Sequence, residues 1–559
     1  LSSPTTTVDR PFRSRLRARA DGPWLLALDT VRTHRVSLMA WAVGGAVAMA
    51  AQAVAIAKEM EDFPGGARAL ATSIAASAEG MRALRWPAER LDTLGGYLTF
   101  HNVLLFNLFL AVYGAVVGAK SLRGAEERHA AGELLAAGVS RRGLLAGRVT
   151  GFVLVAALVA AGLSVGTAVG MSAGGEPDLG GSVITCATTG LVAVLGFALG
   201  VLLGQLAPDA RTAAGLASLV LVGLYLATNL DGELPGAGAL AAVSPFTLAN
   251  RSRALVPGYG LDLWATLALV LATGAMLVLA AVAGERRDHA APLWGRRVPT
   301  TEPAGHVARF MMGSVPAATL RRGAAGLLVW AVSAGAVTAM MGALQPDIID
   351  VWSEMGFLSA FGGEAGAEAS YWSFVASLLP AVLAAYVTTQ TSTWVSDLHQ
   401  GRVEMMRSTP VSRTALVTGR LVALLAGSAA ISLLALGALA AVAASVGDPL
   451  GAAGVGRVGV VSLLFAASLG ALSALVSGIF RSSAAVVALA LLVGASYLLS
   501  YLVPLFGWPD WLNRLSLFWA FGTPYTGWPS TAQLVTLLGV AVGGTAAATV
   551  VAERSSSVP

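Results

Sequence analysis

Runs of about 20 apolar residues recur along this chain, each long enough to cross the roughly 30 Å of a bilayer's hydrocarbon as a helix. They lie near 36–57, 97–118, 149–171, 182–206, 213–230 and 263–283, and again near 326–344, 373–392, 421–445, 458–480, 484–506 and 532–551. Hydrocarbon offers backbone N–H and C=O groups no partner, so only helices or closed barrels span it, and runs of this length select helices. Composition agrees, because 56% hydrophobic and 12% charged residues cannot clothe 559 residues in a water-facing surface. The expectation is an all-α polytopic membrane protein with about twelve transmembrane helices.

The runs fall into two sets. Val139-Ser140-Arg141 recurs as Val411-Ser412-Arg413, 272 positions later (411 − 139), and Val243-Ser244-Pro245-Phe246 recurs imperfectly as Leu515-Ser516-Leu517-Phe518 at the same offset (516 − 244). Two landmarks at one offset imply a duplicated unit. Trp41-Ala42-Val43 reappears as Trp330-Ala331-Val332 at an offset of 289 (330 − 41), so the first copy holds 17 extra residues after that point (289 − 272). Six spans per copy is an even number, so both copies enter from the same side, related by an axis along the membrane normal. The reading is two fused six-helix repeats. A tail (1–35) precedes the first half (36–283), which includes an outer segment (58–94); a linker (284–323), the second half (324–551) and a C-terminal tail (552–559) follow.

Arginine sets the orientation. Arg32, Arg35, Lys120, Arg123, Arg128, Arg141, Arg142, Arg286, Arg287, Arg296, Arg297, Arg321, Arg322, Arg402, Arg407 and Arg413 lie in the loops on one side, which the positive-inside rule assigns to the cytoplasm together with both termini. Topology accounts for this basic face, so nucleic acid is not an expected partner. On the other side, Leu70, Ile74, Met81 and Leu84 recur at near-helical spacing within 58–94, as in an amphipathic helix at the outer interface. Trp508, Trp511, Phe518, Trp519, Phe521, Tyr525 and Trp528 crowd 507–529, as head-group anchors do. The lone Cys186 sits in an apolar run and reads as a buried thiol.

The duplicated segment carries the strongest functional signal. In the first copy Glu126, Glu127, Gly132, Glu133, Leu134 and Leu135 lead into Val139-Ser140-Arg141 and Gly147-Arg148; in the second Gly401, Glu404, Met405 and Met406 lead into Pro410-Val411-Ser412-Arg413 and Gly419-Arg420. Each reads as a short amphipathic helix, a turn and the start of the next span. Such an element lies along the membrane face, buries its Leu or Met side in a partner's groove and presents charge at the rim. One copy would be an ordinary basic loop; two favour docking.

Glu133-Leu134-Leu135 through Ser140-Arg141, and more closely Glu404-Met405-Met406-Arg407-Ser408-Thr409-Pro410-Val411-Ser412-Arg413, resemble the E-L-L-x-x-T-P-V-S-R coupling segment of ABC-2 type permeases. With two fused halves, the chain is similar to the polyketide-antibiotic (tetronasin-type) exporter permeases of actinobacteria. The first copy departs from the pattern, with Gly138 in place of proline and one residue fewer between Glu133 and Val139. The resemblance implies a permease subunit that is not itself an enzyme. A separate ABC ATPase, in two copies beneath the two segments, would bind ATP and Mg and drive rocking of the halves. Arg141 and Arg413 with Glu133 and Glu404 would hold these levers to the ATPase, while Gly114, Gly118, Gly196 and Gly200 would let helices slide at close range. The resemblance also places the cargo cavity between the second and fifth helices of each half, which singles out Asn107 and Asn229.

Polar groups at membrane depth face protein or a water-filled cavity, which makes His101, Asn107, Asn229, Thr388, Gln390 and Tyr497 candidate cavity residues against a background of helix-to-helix bonding. The motor is not in the chain: Gly114 to Ser121 approaches a phosphate-cradling loop through Lys120-Ser121, but Ala119 replaces its second glycine. The six histidines show no metal-ligand spacing, and no nucleophile with a base partner is recognisable. The expected function is efflux of hydrophobic or amphipathic small molecules such as antibiotics or drugs from a bacterial plasma membrane. A secondary transporter driven by an ion gradient would need membrane-embedded acidic or basic groups, and the spans as drawn hold essentially none; a non-transporting scaffold or sensor subunit is the third reading.

Overall fold

The computed structural model describes residues 10–78, 87–232, 237–287, 314–346, 349, 366–399, 403, 408, 411–480, 482–505 and 508–554. Two compact units divide the chain, Leu1–Thr300 and Thr301–Pro559. Among the described residues both are helical, with no strand. Eleven helices there are long and apolar enough to cross a membrane, and Ala484–Ser500 is a shorter apolar one, so the chain is an all-α multi-pass membrane protein.

In the first unit α1 (Arg10–Met39) continues through a π-helical turn (Ala40–Gly44) into α2 (Gly45–Asp62), followed by the short α3 (Gly66–Ala78). The chain re-enters the bundle through α4 (Leu94–Leu98), a second π-helical turn (Thr99–Val103) and α5 (Leu104–Glu127), and α6 (Ala130–Ala136) then leads to α7 (Arg141–Ala173). Next come α8 (Leu179–Leu206), α9 (Ala210–Asn229), the short α10 (Ala237–Ala242) and α11 (Pro245–Asn250), and α12 (Leu263–Arg286). The second unit comprises α13 (Val315–Ala343), α14 (Ala367–Ser377), α15 (Leu379–His399), α16 (Arg413–Ser445), α17 (Ala452–Phe480), α18 (Ser483–Leu505), α19 (Asp510–Asn513), α20 (Leu517–Phe521) and α21 (Thr531–Arg554).

Local chemistry sets the helix starts. Asp178, Asp209, Asp262 and Ser314 each accept a backbone N–H three residues on, capping α8, α9, α12 and α13. The interior is built from small residues. Gly114 and Gly118 of α5 face the carbonyls of Ala193 and Phe197, while Gly196 and Gly200 of α8 face those of Ala111 and Ala115, so the two backbones interlock at this crossing. Phe152 of α7 stacks on Phe197 at a ring separation of 4.4 Å beside that crossing. Outward, α12 exposes Leu263, Trp264, Leu271 and Val278, and α21 exposes Val535, Leu538 and Val542, a surface suited to lipid rather than water.

Several boundaries differ from the sequence expectation. Helix starts at Arg10 rather than near 36, and α12 and α13 extend into both ends of the expected linker. The spans also outrun the apolar runs, because helical hydrogen bonding continues past the last apolar residue; Glu59 and Asp397 therefore fall within span helices. Both are partnered, Glu59 by the Tyr97 hydroxyl at 3.2 Å and Asp397 by Arg322 and Arg420 at 3.2 Å. In the outer segment α3 buries Leu70 and Ile74, so its apolar face packs on protein; Met81 and Leu84 lie outside the described residues. The aromatic tract splits: Trp508, Trp511 and Trp528 face outward as anchors would, whereas Phe521 is buried and Phe518, Trp519 and Tyr525 pack on the core of the second unit.

Candidate functional site

The first Ser-Arg segment is built at the end of the first unit where α5, α8 and α12 finish and α7 begins. His129 takes a left-handed backbone (φ 63°) to turn the chain out of α5 into α6. The helix ends at Gly138 (φ 92°), where Gly138 N–H donates to the Leu135 carbonyl and Val139 N–H to that of Leu134, a glycine-dependent stop. Proline cannot adopt this φ, which explains Gly138 where the family pattern has proline. Ser140 then caps α7 by accepting from Gly143 N–H at 3.0 Å. Arg141 donates to the carbonyls of Gly284 at 2.6 Å and Arg287 at 2.9 Å, closing off the carbonyl end of α12.

The second segment repeats these contacts. Ser412 accepts from Ala415 N–H at 3.0 Å, and Arg413 donates to the carbonyls of Ala552 at 3.3 Å and Glu553 at 3.1 Å at the end of α21. Val411 beside them is half-buried, and Glu404, Met405, Met406 and Pro410 lie outside the described residues. The other landmark is matched too: Ser244 donates to the Leu224 carbonyl at 3.1 Å, and Ser516 to that of Ser496 at 2.6 Å. A third landmark went unread in the sequence. Gly175 and Gly447, again 272 positions apart (447 − 175), both end their helices in the left-handed region, at φ 85° and 90°. The next residue is acidic in each, with Glu176 accepting from Leu94 N–H and Asp448 from the Trp372 indole.

The predicted coupling residues divide by what they face. Glu126 sits between Arg123, at 3.2 Å, and Arg287, whose Nε also donates to Gln205 at 2.7 Å. Arg123 is 1% exposed and reaches the Pro208 carbonyl at 2.5 Å, so this charge cluster is desolvated and held within the unit. Glu127 accepts from Ala210 N–H at 2.7 Å, bracing the start of α9. Leu134 and Val139 pack on the unit's own core, and Leu135 lines a groove of about 50 Å³ between α6, α7 and α12. The Leu side expected to enter a partner's groove is thus turned inward in the first copy. What α6 leaves exposed is Glu133, Ala136 and Ala137.

Within each unit, among the described residues, the predicted cavity residues are spread over different surroundings. Asn107 lines a small pocket with α8 and the α11 end, and His101 stands in the π-helical turn before it, edge-on to Tyr97 at 5.9 Å. Asn229 is buried at the end of α9 and does not line that pocket. In the second unit Thr388 donates to its own helix at the Ala384 carbonyl. Gln390 lines a second pocket with Tyr386, Trp394 and Arg420, and Tyr497 is 53% exposed, edge-on to Phe518. Among the described residues no group of three or more His, Cys, Asp or Glu could hold a metal ion.

Residues 27–289 match a family model described as ABC-2 family transporter protein, and residues 312–551 match one described as multidrug efflux system permease Rv1217c, C-terminal domain. No match was found among curated proteins. An ABC-2 permease is a transporter's membrane component, without catalysis of its own, and implies an ABC ATPase as partner. With an ABC-2 domain in the first half, an efflux-permease domain in the second and helices able to cross a membrane throughout, this chain is an ABC-2 family permease, the membrane subunit of an ABC exporter.

Proposed function

We propose that the chain is a tetronasin-type exporter permease that moves hydrophobic or amphipathic small molecules, including antibiotics, out across a bacterial plasma membrane. Both termini and the Ser-Arg segments face the cytoplasm, and two ATPase copies, which bind ATP and Mg, dock beneath those segments. The observation that carries this reading is the matched pair of serine caps and arginine clamps at Ser140-Arg141 and Ser412-Arg413. Each clamp joins the third and last spans of its six-span set, so a push on the segment reaches both helices without slack. The arginines act here inside their own half, and the exposed Glu133, Ala136 and Ala137 face of α6 supplies the contact with the ATPase. Duplicated clamps serving paired motors fit the fused two-half organisation, and an efflux cargo fits the multidrug description of the family matched by the second half.

Two measurements test this. Replacing Glu133→Arg together with Ala136→Trp should abolish co-purification with the ABC ATPase while the permease itself still purifies folded; full retention of the ATPase would remove α6 from the docking site. Inside-out vesicles holding both subunits should take up an amphipathic dye only with ATP. Uptake driven by a proton gradient without the ATPase would restore the ion-gradient carrier.

A further inference from the structure

The pocket beside Asn107 lies at the end of the first unit opposite the Ser-Arg segment, where α4 and α8 begin and α11 ends. The chain next to it is tightly packed: a side chain at Gly95 would strike the Leu255 carbonyl, and one at Gly181 would meet the Ala254 carbonyl at 2.7 Å. The pocket wall includes Thr99 and Val103 of the π-helical turn, a widening of the helix common at functional sites.

Most polar groups there are spent. Thr99 and Thr188 donate to their own helices, and Ser252 accepts from Asp262 N–H. Three are not. The Asn107 Oδ1, Thr185 Oγ1 and Arg253 Nε atoms are buried without a hydrogen-bond partner, in residues only 5%, 4% and 8% exposed. An orphaned buried polar atom is costly, and three around one cavity specify what would satisfy them: a donor for Asn107, an acceptor for Arg253 and either for Thr185. A charged ligand is disfavoured because Glu89 already accepts from Arg253 Nη2 at 3.2 Å. The pocket is too small for a whole cargo molecule, since drug-sized ligands need about 300–1,000 Å³ and the free space here is about 10 Å³, room for one small polar group.

We infer that Asn107, Thr185 and Arg253 form a hydrogen-bonding subsite for one neutral group that both donates and accepts, an amide or a hydroxyl, carried by an amphipathic molecule. The inference rests on the exporter reading for the source of that molecule. Glu89 and Tyr259 hold the Arg253 side chain in place: Tyr259 donates to Glu89, and the Arg253 guanidinium lies 4.3 Å over the Tyr259 ring. The hydrogen bond to Glu89 also holds the Tyr259 phenol above its usual range, keeping it a donor.

The test needs no ATPase, so its failure is separate from failure of the export assay. The purified full chain in nanodiscs is titrated with hexanamide, hexyl methyl ether and hexanoate, with thermal stability as the readout. Hexanamide should raise the midpoint at concentrations where the ether and the carboxylate do not. Asn107→Leu should weaken hexanamide binding roughly three- to tenfold, as loss of one hydrogen bond does; the smaller, isosteric Thr185→Val should do likewise and serves if the first variant folds poorly. Equal response to the ether, preference for hexanoate, no response to any probe, or unchanged binding in both variants would each overturn the subsite.

Discussion

At the scale of single residues, the Ser-Arg pair shows how one dipeptide does two structural jobs. The serine satisfies an orphan N–H at the start of a helix, and the arginine satisfies orphan carbonyls at the end of another, so each removes a cost that burial would impose. Ser140→Ala should cost about 1 kcal/mol. Glu126→Ala should cost more, about 3 kcal/mol, because two buried guanidinium groups lose the carboxylate they share. Both are measurable as shifts in chemical unfolding of the reconstituted chain, and a loss at Glu126 no larger than at Ser140 would show that the cluster is well hydrated. Gly138→Ala should cost about 1–2 kcal/mol through its left-handed backbone alone.

At the scale of elements, the α5–α8 crossing decides what can move. The four glycines were expected to let helices slide, but each faces a carbonyl of the opposite helix with no room for a methyl group, so knobs of one backbone sit in notches of the other. Such a crossing resists axial sliding and carries the pair as one body. Gly200→Ala should therefore destabilise by about 1–3 kcal/mol as overpacking does. Gly223→Ala, in α9 with open space where its Cβ would fall, should be neutral or stabilise by up to about 1 kcal/mol. Equal effects at both positions would mean that the crossing relaxes freely. The second half does not reproduce this crossing: the positions 272 residues after Gly114 and Gly118 are Tyr386 and Gln390, and those after Gly196 and Gly200 are Ser468 and Leu472.

At the scale of the whole molecule, orientation gives the sharpest prediction. The lone native Cys186 is 3% exposed, so background labelling by a membrane-impermeant maleimide should be slight. Ala137→Cys, on the exposed face behind α6, should label only after cells are opened, whereas Gly260→Cys, in the loop before α12, should label in intact cells. The reverse pattern would invert the topology and with it the docking proposal.

Much of the fold was legible in the sequence. Length and apolarity of the runs dictated membrane helices, because hydrocarbon leaves the backbone no other partner. The recurrence of Val-Ser-Arg located the two clamps, since a serine cap and a helix-end arginine are local devices read over a few residues. Helix ends were misjudged wherever helical bonding ran past the apolar run, as at Asp397, because hydropathy records solvent preference rather than hydrogen bonding. The tertiary structure alone decided which side chains share a space. It turned Glu126 inward to Arg123 and Arg287 and separated Asn229 from the pocket of Asn107. It also brought Thr185 and Arg253 to that pocket from distant parts of the chain, because burial and partnering depend on what the fold sets opposite a residue, which no spacing along one helix specifies.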